Sequence, residues 1–315
     1  MQLRKATEAE RSARDALTHA EWGGLLTVEQ FLGREQRLRA HPWTERVMAT
    51  WVLEDTGRIL GSCETFRMPS LLKLPDGRRQ VGGTYGVASV FVEPALRGQG
   101  LAARMMAGLR TALETEDAHA QGSLLFSDVG PALYERAGYA ARPGRDAVLA
   151  AGGEWPAEVQ RLSEATLPVE WPLVRTPDVP FLVWAGPDQV DWHLERERFY
   201  AEALDRRRPS AVGARAGESR AFWSVSWKDD TLWILWLDAR QADEAGDCLR
   251  AARAAAAEAG VSHVRLWDCS AHGPWTEALD GTVLQERVGY LPMLHGFREG
   301  VEVSGWSIIP CALWI

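Results

Sequence analysis

The chain has 315 residues, of which 46% are hydrophobic, so it is long enough to form two domains with substantial cores. Its formal net charge of −8 argues against general nucleic-acid binding, because that function needs a basic surface. It has no apolar run long enough to span a membrane and no apolar N-terminal segment, and we therefore expect a cytoplasmic protein with neither a membrane span nor a signal peptide.

The first half of the chain predicts a strand, two helices, a hairpin, a loop and a further strand. The first strand covers residues 2–6, one helix begins after Thr7, and the other helix covers 27–40. The hairpin has strands over 47–53 and 58–67, the loop covers 71–83 and the further strand covers 85–92. Each helix begins with a capping box: Thr7 with Glu10, and Thr27 with Gln30. The loop is predicted because its segment contains Pro-Asp-Gly, which is a turn signal.

The turn Arg97-Gly98-Gln99-Gly100-Leu101-Ala102 lies between the strand over 85–92 and an amphipathic helix over 98–115. The first amides of a helix have no acceptor within the helix, and the helix dipole favours an anion beside them. The turn therefore predicts a binding site for a pyrophosphate. It departs from the dinucleotide-binding pattern G-x-G-x-x-G. A tight turn whose glycines serve geometry alone is the alternative.

Residues 124–139 predict a strand, a turn, a short helix and the start of a new strand. Pro131 suits the first position of that helix, and Gly138 suits its C-terminal cap. Further along, Gly and Pro interrupt the pattern over residues 150–156, so we divide the chain into domains 1–150 and 151–315.

The second half predicts a hairpin, an alanine-rich helix and a strand, over residues 221–228, 231–237, 242–260 and 261–268. Residues 58–126 predict the same order of elements, which favours a degenerate second copy of the first fold. A coincidence is the alternative, because β-β-α-β units are common. The junction over 238–244 has three carboxylates and no glycine, so we expect one pyrophosphate site per chain, in the first half.

The cysteines and histidines give no sign of a metal site. The four cysteines, Cys63, Cys248, Cys269 and Cys311, show no C-x-x-C spacing. The seven histidines form no H-x-x-x-H or similar cluster. We expect the cysteines to be buried and reduced, and we expect no bound metal ion.

Two motifs in the first half resemble those of the GNAT superfamily of N-acetyltransferases. Arg97, Gly100 and Ala102 fall on the pattern Arg/Gln-x-x-Gly-x-Gly/Ala of its acyl-CoA loop, and residues 124–139 look like its second signature. The resemblance implies an α/β fold with a mixed sheet, acetyl-CoA as cosubstrate and direct transfer through a ternary complex. The first half is also similar to the fungal lysine N-acetyltransferase branch, over 60–65, 85–92 and 125–130, and thinly near the C-terminus at 291–294, Trp306 and Trp314.

The resemblance also implies roles for particular residues of the cosubstrate site. The diphosphate of CoA would be held by the turn Arg97, Gly98, Gln99, Gly100, Leu101 and Ala102. The backbone of Val90, Phe91 and Val92 would bind the pantetheine arm and polarise the acetyl carbonyl. Ser127 and Asp128 stand where many GNAT enzymes carry an asparagine that reaches the CoA arm, and Asp128 is the candidate for this contact, although an aspartate cannot donate as the amide does.

Two side chains are the candidates for proton transfer. Tyr134 would face the thioester and act as general acid, because its reference pKa near 10 keeps its proton available at neutral pH; a core tyrosine is the alternative. Glu64, on a predicted central strand, would be the base or an ammonium ligand, unless it is the structural partner of an arginine such as Arg67 or Arg104. Glu93 is a weaker candidate for the base.

We therefore expect an acetyl-CoA-dependent N-acetyltransferase that acts on a primary amine of a small molecule, with free lysine as the first compound to test. The alternatives are acetylation of a larger amine, such as an aminoglycoside or a protein lysine, and a CoA-binding module without chemistry. Trp306 or Trp314 would line the acceptor pocket between the domains. We expect a monomer or homodimer that binds neither nucleic acid nor membrane.

Overall fold

The computed structural model describes residues 1–170, 179–267, 282–306 and 310–315. Its strands are β1 (Gln2–Lys5), β2 (Met48–Asp55), β3 (Arg58–Lys73), β4 (Arg79–Val92), β5 (Ala120–Ser127), β6 (Ala140–Ala141), β7 (Arg145–Ala150), β8 (Gln160–Leu162), β9 (Phe181–Val183), β10 (Gly213–Ala216), β11 (Ser219–Ser226), β12 (Thr231–Asp238), β13 (His263–Leu266), β14 (Val283–Glu286) and β15 (Leu291–Gly296). Its α-helices are α1 (Glu8–Trp22), α2 (Val28–Arg39), α3 (Pro42–Val47), α4 (Leu101–Glu116), α5 (Ala132–Glu135), α6 (Leu167–Glu170), α7 (Pro187–Ala203) and α8 (Ala242–Ala259). No helix within these ranges is both long and apolar enough to cross a bilayer.

Two mixed sheets carry the fold, and they have the same strand order. The first sheet runs β1-β2-β3-β4-β5-β15-β6, with β9 paired to β3, and the second runs β8-β10-β11-β12-β13-β7-β14. In each sheet the only parallel pair among the described strands joins the fourth and fifth positions, β4 with β5 and β12 with β13. A crossover helix, α4 or α8, connects each of these pairs. The predicted second copy of the fold is therefore present.

The two halves of the chain exchange strands, and β9 of the second half also joins the first sheet through β3. β7, from the first half, lies between β13 and β14 in the second sheet, and β15, from the second half, lies between β5 and β6 in the first sheet. The predicted division at residue 150 stays a prediction, but a cut at that point would take β9 and β15 out of the first sheet and β7 out of the second.

The predicted loop over 71–83 is wrong at both ends. β3 continues to Lys73 and β4 begins at Arg79, so that a long hairpin replaces most of the loop. The strands extend because β9 adds a further partner at Ser70–Leu72, which a local turn signal does not reveal. α3 was not predicted, since six residues beginning at a proline carry little periodicity.

Both predicted capping boxes are present. The Thr7 hydroxyl accepts from the Glu10 amide at 3.3 Å, and Thr27 does the same for Gln30 at 3.2 Å. Of the cysteines, Cys63, Cys248 and Cys311 are buried and unpaired, and Cys269 lies outside the described residues.

Apolar packing joins the two halves of the chain. Phe66 of β3 and Trp192 of α7 both pack on Trp43, with ring centroids 5.6 Å apart in each case. Trp306 and Leu313 belong to the same buried cluster. α7 is thereby held over the face of the first sheet, and it forms one wall of the cavity described next.

Candidate active site

A cavity of about 270 Å³ lies where the first sheet meets α1, α2 and α7. Arg14 of α1, Arg34 of α2 and Glu64 of β3 line one part of it. Val90 of β4 and Arg196 of α7 line others. Both halves of the chain therefore contribute to one concave site, which polar and apolar side chains line together.

The cavity opens where β4 and β5 separate. The last residue pair that joins these strands is Gly86 with Leu124, although β4 continues to Val92 and β5 to Ser127. The backbone of residues 87–92 therefore has no strand partner on the β5 side. Such an edge offers unpaired amides and carbonyls to an extended ligand.

A β-bulge accompanies this separation. The register between β3 and β4 shifts from Ser62–Phe91 to Glu64–Ala88, which leaves one extra residue on β4. Ser89 takes up the irregularity with a φ of 52°, an uncommon conformation for a residue with a Cβ atom. Val90 lines the cavity beside it.

The turn over 97–102 has the backbone that the sequence predicts. Gly98 and Gly100 have φ angles of 79° and 74°, which favour glycine, and α4 begins directly after Gly100. The first intrahelical bond of α4 runs from the Arg104 amide to the Gly100 carbonyl at 3.1 Å. No acceptor within the described residues serves the amides of 98–103, as expected for the start of a helix.

The Arg97 guanidinium already has partners. It donates to the Val92 carbonyl at 3.2 Å and to the Glu21 carboxylate at 2.5 Å. Arg97 is exposed and is not among the residues that line the cavity. Its side chain connects the turn to Glu21 of α1, and its backbone amide donates to the Pro94 carbonyl at 3.3 Å.

Tyr134 of α5 lines the cavity, and only 8% of the residue is exposed. Burial raises the pKa of its hydroxyl to about 12, with smaller contributions from Cys63 and Asp128. Its ring packs against the edge of Tyr139, with centroids 6.1 Å apart. Tyr134 is therefore protonated at neutral pH and borders the space in which a ligand would sit.

Glu64 also lines the cavity, but both of its neighbours are arginines. Its Oε1 accepts from Arg14 at 3.0 Å and from Arg39 at 3.4 Å. Burial alone would raise the pKa of this carboxyl, but the two guanidiniums outweigh burial and hold the pKa below its usual range. The arginines named from the sequence are elsewhere: Arg67 pairs with Asp117, and Arg104 contacts Met1.

Arg14 is a site residue that sequence reasoning missed. Besides Glu64, it donates to Ser62 Oγ at 2.8 Å and to the carbonyl of Ser89 at 3.0 Å. It therefore ties α1 to β3 and to the bulge of β4. No pattern in α1 pointed to this role, because its buried face carries Arg14, Asp15 and Thr18 rather than an apolar stripe.

The remaining charges of this wall are paired with one another. Arg39 pairs with Asp15, and Arg34 donates to Glu35 through Nε at 3.0 Å. Arg34 also donates to the hydroxyl of Tyr200, on α7, at 2.7 Å. The wall formed by α1, α2 and β3 is thus an electrically balanced network that is largely withdrawn from water.

Asp128 follows the last residue of β5 and lines the cavity. Its Oδ1 accepts from the Tyr290 amide at 3.2 Å. Partial burial raises the pKa of its carboxyl, and nearby Asp229 raises it further, while the Tyr290 amide and Lys228 act in the opposite direction. Unlike Glu64, it has no arginine beside it among the described residues.

α7 supplies the wall contributed by the second half of the chain. Trp192, Arg196 and Tyr200 are spaced four residues apart and line the cavity together, as one helix face requires. The Arg196 guanidinium lies 4.9 Å from the ring centroid of Trp314, which also lines the cavity. Trp306, the other tryptophan proposed for the acceptor pocket, is fully buried in the core.

Three residues that line the cavity have a buried polar atom without a hydrogen-bond partner within the described chain: Arg39 through Nε, and the more deeply buried Trp192 and Thr44 through Nε1 and Oγ1. Trp192 and Thr44 are each at least nine-tenths buried. Buried polar groups are nearly always paired, so these two are suited to a ligand.

The corresponding junction of the second half differs from the turn over 97–102. There the Glu244 carboxylate accepts from the amides of Glu218 and Ser219 at 3.2 and 3.1 Å, at the start of α8. An anion at this helix end would meet a carboxylate. Within the described ranges, no group of three or more His, Cys, Asp or Glu side chains could hold a metal ion.

Two family models match the chain. The model described as "Acetyltransferase (GNAT) domain" matches residues 47–141, and the model described as "LYC1 GNAT-like C-terminal domain" matches residues 174–305. The chain carries two GNAT-family domains. These matches confirm the predicted family, the predicted fold class and the predicted enzyme class, N-acetyltransferase.

Individual relatives agree with the family models. Over an alignment of 353 residues, the chain is 23% identical to a protein of Yarrowia lipolytica named "Lysine acetyltransferase", and the alignment covers 89% of this chain and 87% of that protein. A solved probable N-acyltransferase of Enterococcus faecalis has a TM-score of 0.61 at 13% identity, covering 93% of this chain and 72% of its own.

A solved tandem GNAT protein from the clavulanic acid biosynthesis pathway has a TM-score of 0.50 at 13% identity, covering 94% of this chain and 97% of its own. At these identities the two solved structures show the fold, and this tandem neighbour agrees with the repeated strand order of the two sheets.

Proposed function

We propose that the chain transfers an acetyl group from acetyl-CoA to a primary amine of a small molecule, with free lysine as the first candidate. The observation that carries this proposal is the separation of β4 from β5 at Gly86, which opens an unpaired strand edge into the cavity. Acetyl-CoA supplies an acetyl group activated as a thioester. The amides of 98–103, which have no acceptor within the described residues, fit its diphosphate. The edge over 87–92, which has no strand partner on the β5 side, fits its pantetheine amides.

The start of α4 binds the diphosphate in this proposal. The amides of Gly98, Gln99, Gly100, Leu101 and Ala102 donate to its oxygens, and the helix dipole adds to the attraction. A charge beside a helix end is stabilised by about 0.3–1 kcal/mol at an exposed site, so several donors are needed for useful affinity. The Arg97 side chain keeps the turn in place through Glu21 and Val92.

The backbone of Val90, Phe91 and Val92 binds the pantetheine arm and polarises the acetyl carbonyl. Arg14 supports this segment, because it donates to the carbonyl of Ser89 within the bulge. Tyr134 donates a proton to the leaving sulfur. Its pKa of about 12 ensures that the proton is present at neutral pH.

Glu64 acts through Arg14 rather than on the substrate. A carboxylate that accepts from two guanidiniums and has a lowered pKa is a poor proton acceptor. We assign it the task of holding Arg14 and Arg39 in their positions, which is the structural alternative that the sequence left open.

The acceptor side of the cavity favours a small amino acid. At about 270 Å³ the cavity is below the range typical for drug-sized ligands, which disfavours an aminoglycoside or a protein segment. Arg196 and Lys228 carry positive charge, and Asp128 and Asp229 negative charge, and none of the four forms a direct ion pair within the described residues. Unpaired charges of both signs suit a ligand that has an ammonium and a carboxylate.

Steady-state release of CoA from acetyl-CoA tests the proposal. The acceptors would be lysine, ornithine, their decarboxylated analogues cadaverine and putrescine, an aminoglycoside and a lysine-containing peptide. We expect lysine or ornithine to give the highest kcat/KM. If acetyl-CoA binds in calorimetry but no amine releases CoA, the chain is a CoA-binding module without chemistry.

A further inference from the structure

The cavity contains a carboxylate at the end of β5 that the ion-pair network does not use. Asp128 accepts one hydrogen bond, from the Tyr290 amide to Oδ1, and no partner of Oδ2 is present within the described residues. Glu64, by contrast, accepts from two arginines. Of these two cavity carboxylates, Asp128 is the one that no arginine contacts within the described residues, so its charge is available to a ligand.

Several elements place charged or titratable groups around Asp128. Tyr134 comes from α5, Tyr290 precedes β15, and Lys228 and Asp229 lie in the turn between β11 and β12. All four side chains line the same cavity as Asp128. Asp128 therefore shares the cavity with Tyr134, our proposed acid, and faces the second half of the chain rather than the turn that begins α4.

We propose that Asp128 is a catalytic residue of the acceptor side, where it binds the ammonium of the amine and accepts its proton. This inference depends on the proposed acetyltransferase function. It replaces the expectation that Asp128 contacts the CoA arm in the manner of the asparagine found there in many GNAT enzymes. The chemistry of the group favours the acceptor, because an ionised carboxylate attracts an ammonium and has no proton to donate to an acceptor atom of CoA.

The proton and electron balance of the step is as follows. The amine enters as an ammonium and gives one proton to Asp128, which passes it to solvent, and the freed lone pair of nitrogen forms the C–N bond. The C–S bond breaks, its electron pair stays on sulfur, and sulfur takes a proton from Tyr134. The nitrogen loses its second proton through Asp128, and this proton replaces the one that Tyr134 gave.

Burial and Asp229 raise the pKa of Asp128, so the difference between this pKa and that of a lysine ammonium, about 10.4, becomes smaller. The lone carboxylate thus becomes a better base than an exposed aspartate. The rate is expected to fall as the pH falls through this pKa, because the protonated carboxyl can neither attract the ammonium nor take its proton.

The substitution Asp128→Asn separates the two roles, because it keeps the shape and supplies the amide that the CoA-contact role calls for. If Asp128 serves the acceptor, kcat falls by about 10²–10⁴-fold and the acid limb of the pH profile of kcat/KM disappears. The Kd for acetyl-CoA in calorimetry then stays within about twofold of the wild type. If Asp128 serves the cosubstrate, kcat is retained and the Kd for acetyl-CoA falls. That second result would overturn the inference.

Two further variants make the comparison specific. Asp243→Asn removes an exposed carboxylate outside the cavity and should leave kcat and both KM values unchanged. If Asp229→Asn lowers kcat and Asp128→Asn does not, Asp229 is the carboxylate that serves the acceptor, and the inference is refuted.

Calorimetry of lysine binding, in the presence of CoA and without turnover, keeps the two proposals distinguishable. A wild type that releases no CoA with any amine contradicts the proposed function. In that case lysine binding still tests Asp128. The inference requires Asp128→Asn to weaken the affinity for lysine by about tenfold or more. Equal affinity in the two proteins, or no lysine binding to either, contradicts the inference.

Discussion

Replacing Glu64 by glutamine removes the negative charge from the buried network of α1, α2 and β3. The side chain keeps its shape, but Arg14 and Arg39 lose one of the carboxylates that compensate them, and three buried or half-buried arginines then face only Asp15 and Glu35. Arg14 has only 6% of its side chain exposed, so water compensates the lost charge only in part. Removing one member of a buried ion pair typically costs about 3–5 kcal/mol, and we expect Glu64→Gln to lower the free energy of unfolding by that amount.

Glu93→Gln is the matched control. Glu93 pairs with Arg58 at 2.9 Å, but the side chains are 42% and 59% exposed, so solvent screens the pair. Exposed pairs contribute about 0–1 kcal/mol, and the control should lose no more than that. Urea unfolding followed by tryptophan fluorescence measures both variants on the same scale.

The pH dependence follows from the lowered pKa of Glu64. A carboxyl whose pKa is lower in the folded state stabilises the fold above its unfolded pKa, about 4.3, and loses this contribution as the pH falls through its folded pKa. The difference in the free energy of unfolding between wild type and Glu64→Gln should therefore have its full value at pH 7 and shrink below about pH 4.3.

One pair of results would refute this reasoning. If Glu64→Gln loses no more stability than Glu93→Gln but lowers kcat by about 10²-fold or more, Glu64 takes the proton from the substrate and is not a structural anion. We expect the reverse, with a large loss of stability and a change in kcat of less than about tenfold where the variant is folded.

Four more outcomes are expected. Tyr134→Phe should lower kcat by about 10²–10⁴-fold without changing the Kd for acetyl-CoA; an unchanged rate of thiol release would remove Tyr134 from the mechanism. Gly100→Ala strains a backbone with φ of 74° by about 1–2 kcal/mol and should weaken CoA binding in calorimetry by about tenfold, whereas equal affinity would separate the turn from the cosubstrate site. Arg196→Met should raise the KM for lysine by about 10–100-fold and leave cadaverine unaffected; equal effects on both would mean that Arg196 does not bind a carboxylate. The fragment 1–150 lacks β9 and β15, so it should not fold alone by circular dichroism but should assemble when co-expressed with 151–315; an independently folded fragment would show that these two strands are dispensable.

The features that the sequence predicted correctly depend on short stretches of chain. The capping boxes of α1 and α2 each need two residues three positions apart. The turn before α4 needs glycine wherever φ is positive, and Gly98 and Gly100 stand at both such positions. Local backbone requirements of this kind can be read directly from the sequence, and so can the order of motifs that resembles the GNAT superfamily.

The features that the sequence did not reveal depend on residues far apart in the chain. Glu64 and its partner Arg14 are 50 positions apart, so the identity of the partner was not predictable from either helix or strand pattern. The loop predicted before β4 became a strand because β9, about 110 positions further on, pairs with β3. The division of the chain at residue 150 rests on composition, which carries no information on the exchange of β7 and β15.

The sequence by itself determined the strand–turn–helix motif, the tyrosine helix and the repeated order of elements, because each of these follows from residues within one element or its immediate neighbours. Only the tertiary structure decided which side chains surround the cavity, since strand pairing and helix packing bring α1, β5 and α7 together from distant parts of the chain. The bulge at Ser89 and the separation of β4 from β5 belong to the same class, because they arise from the register between strands and not from the residues of one strand.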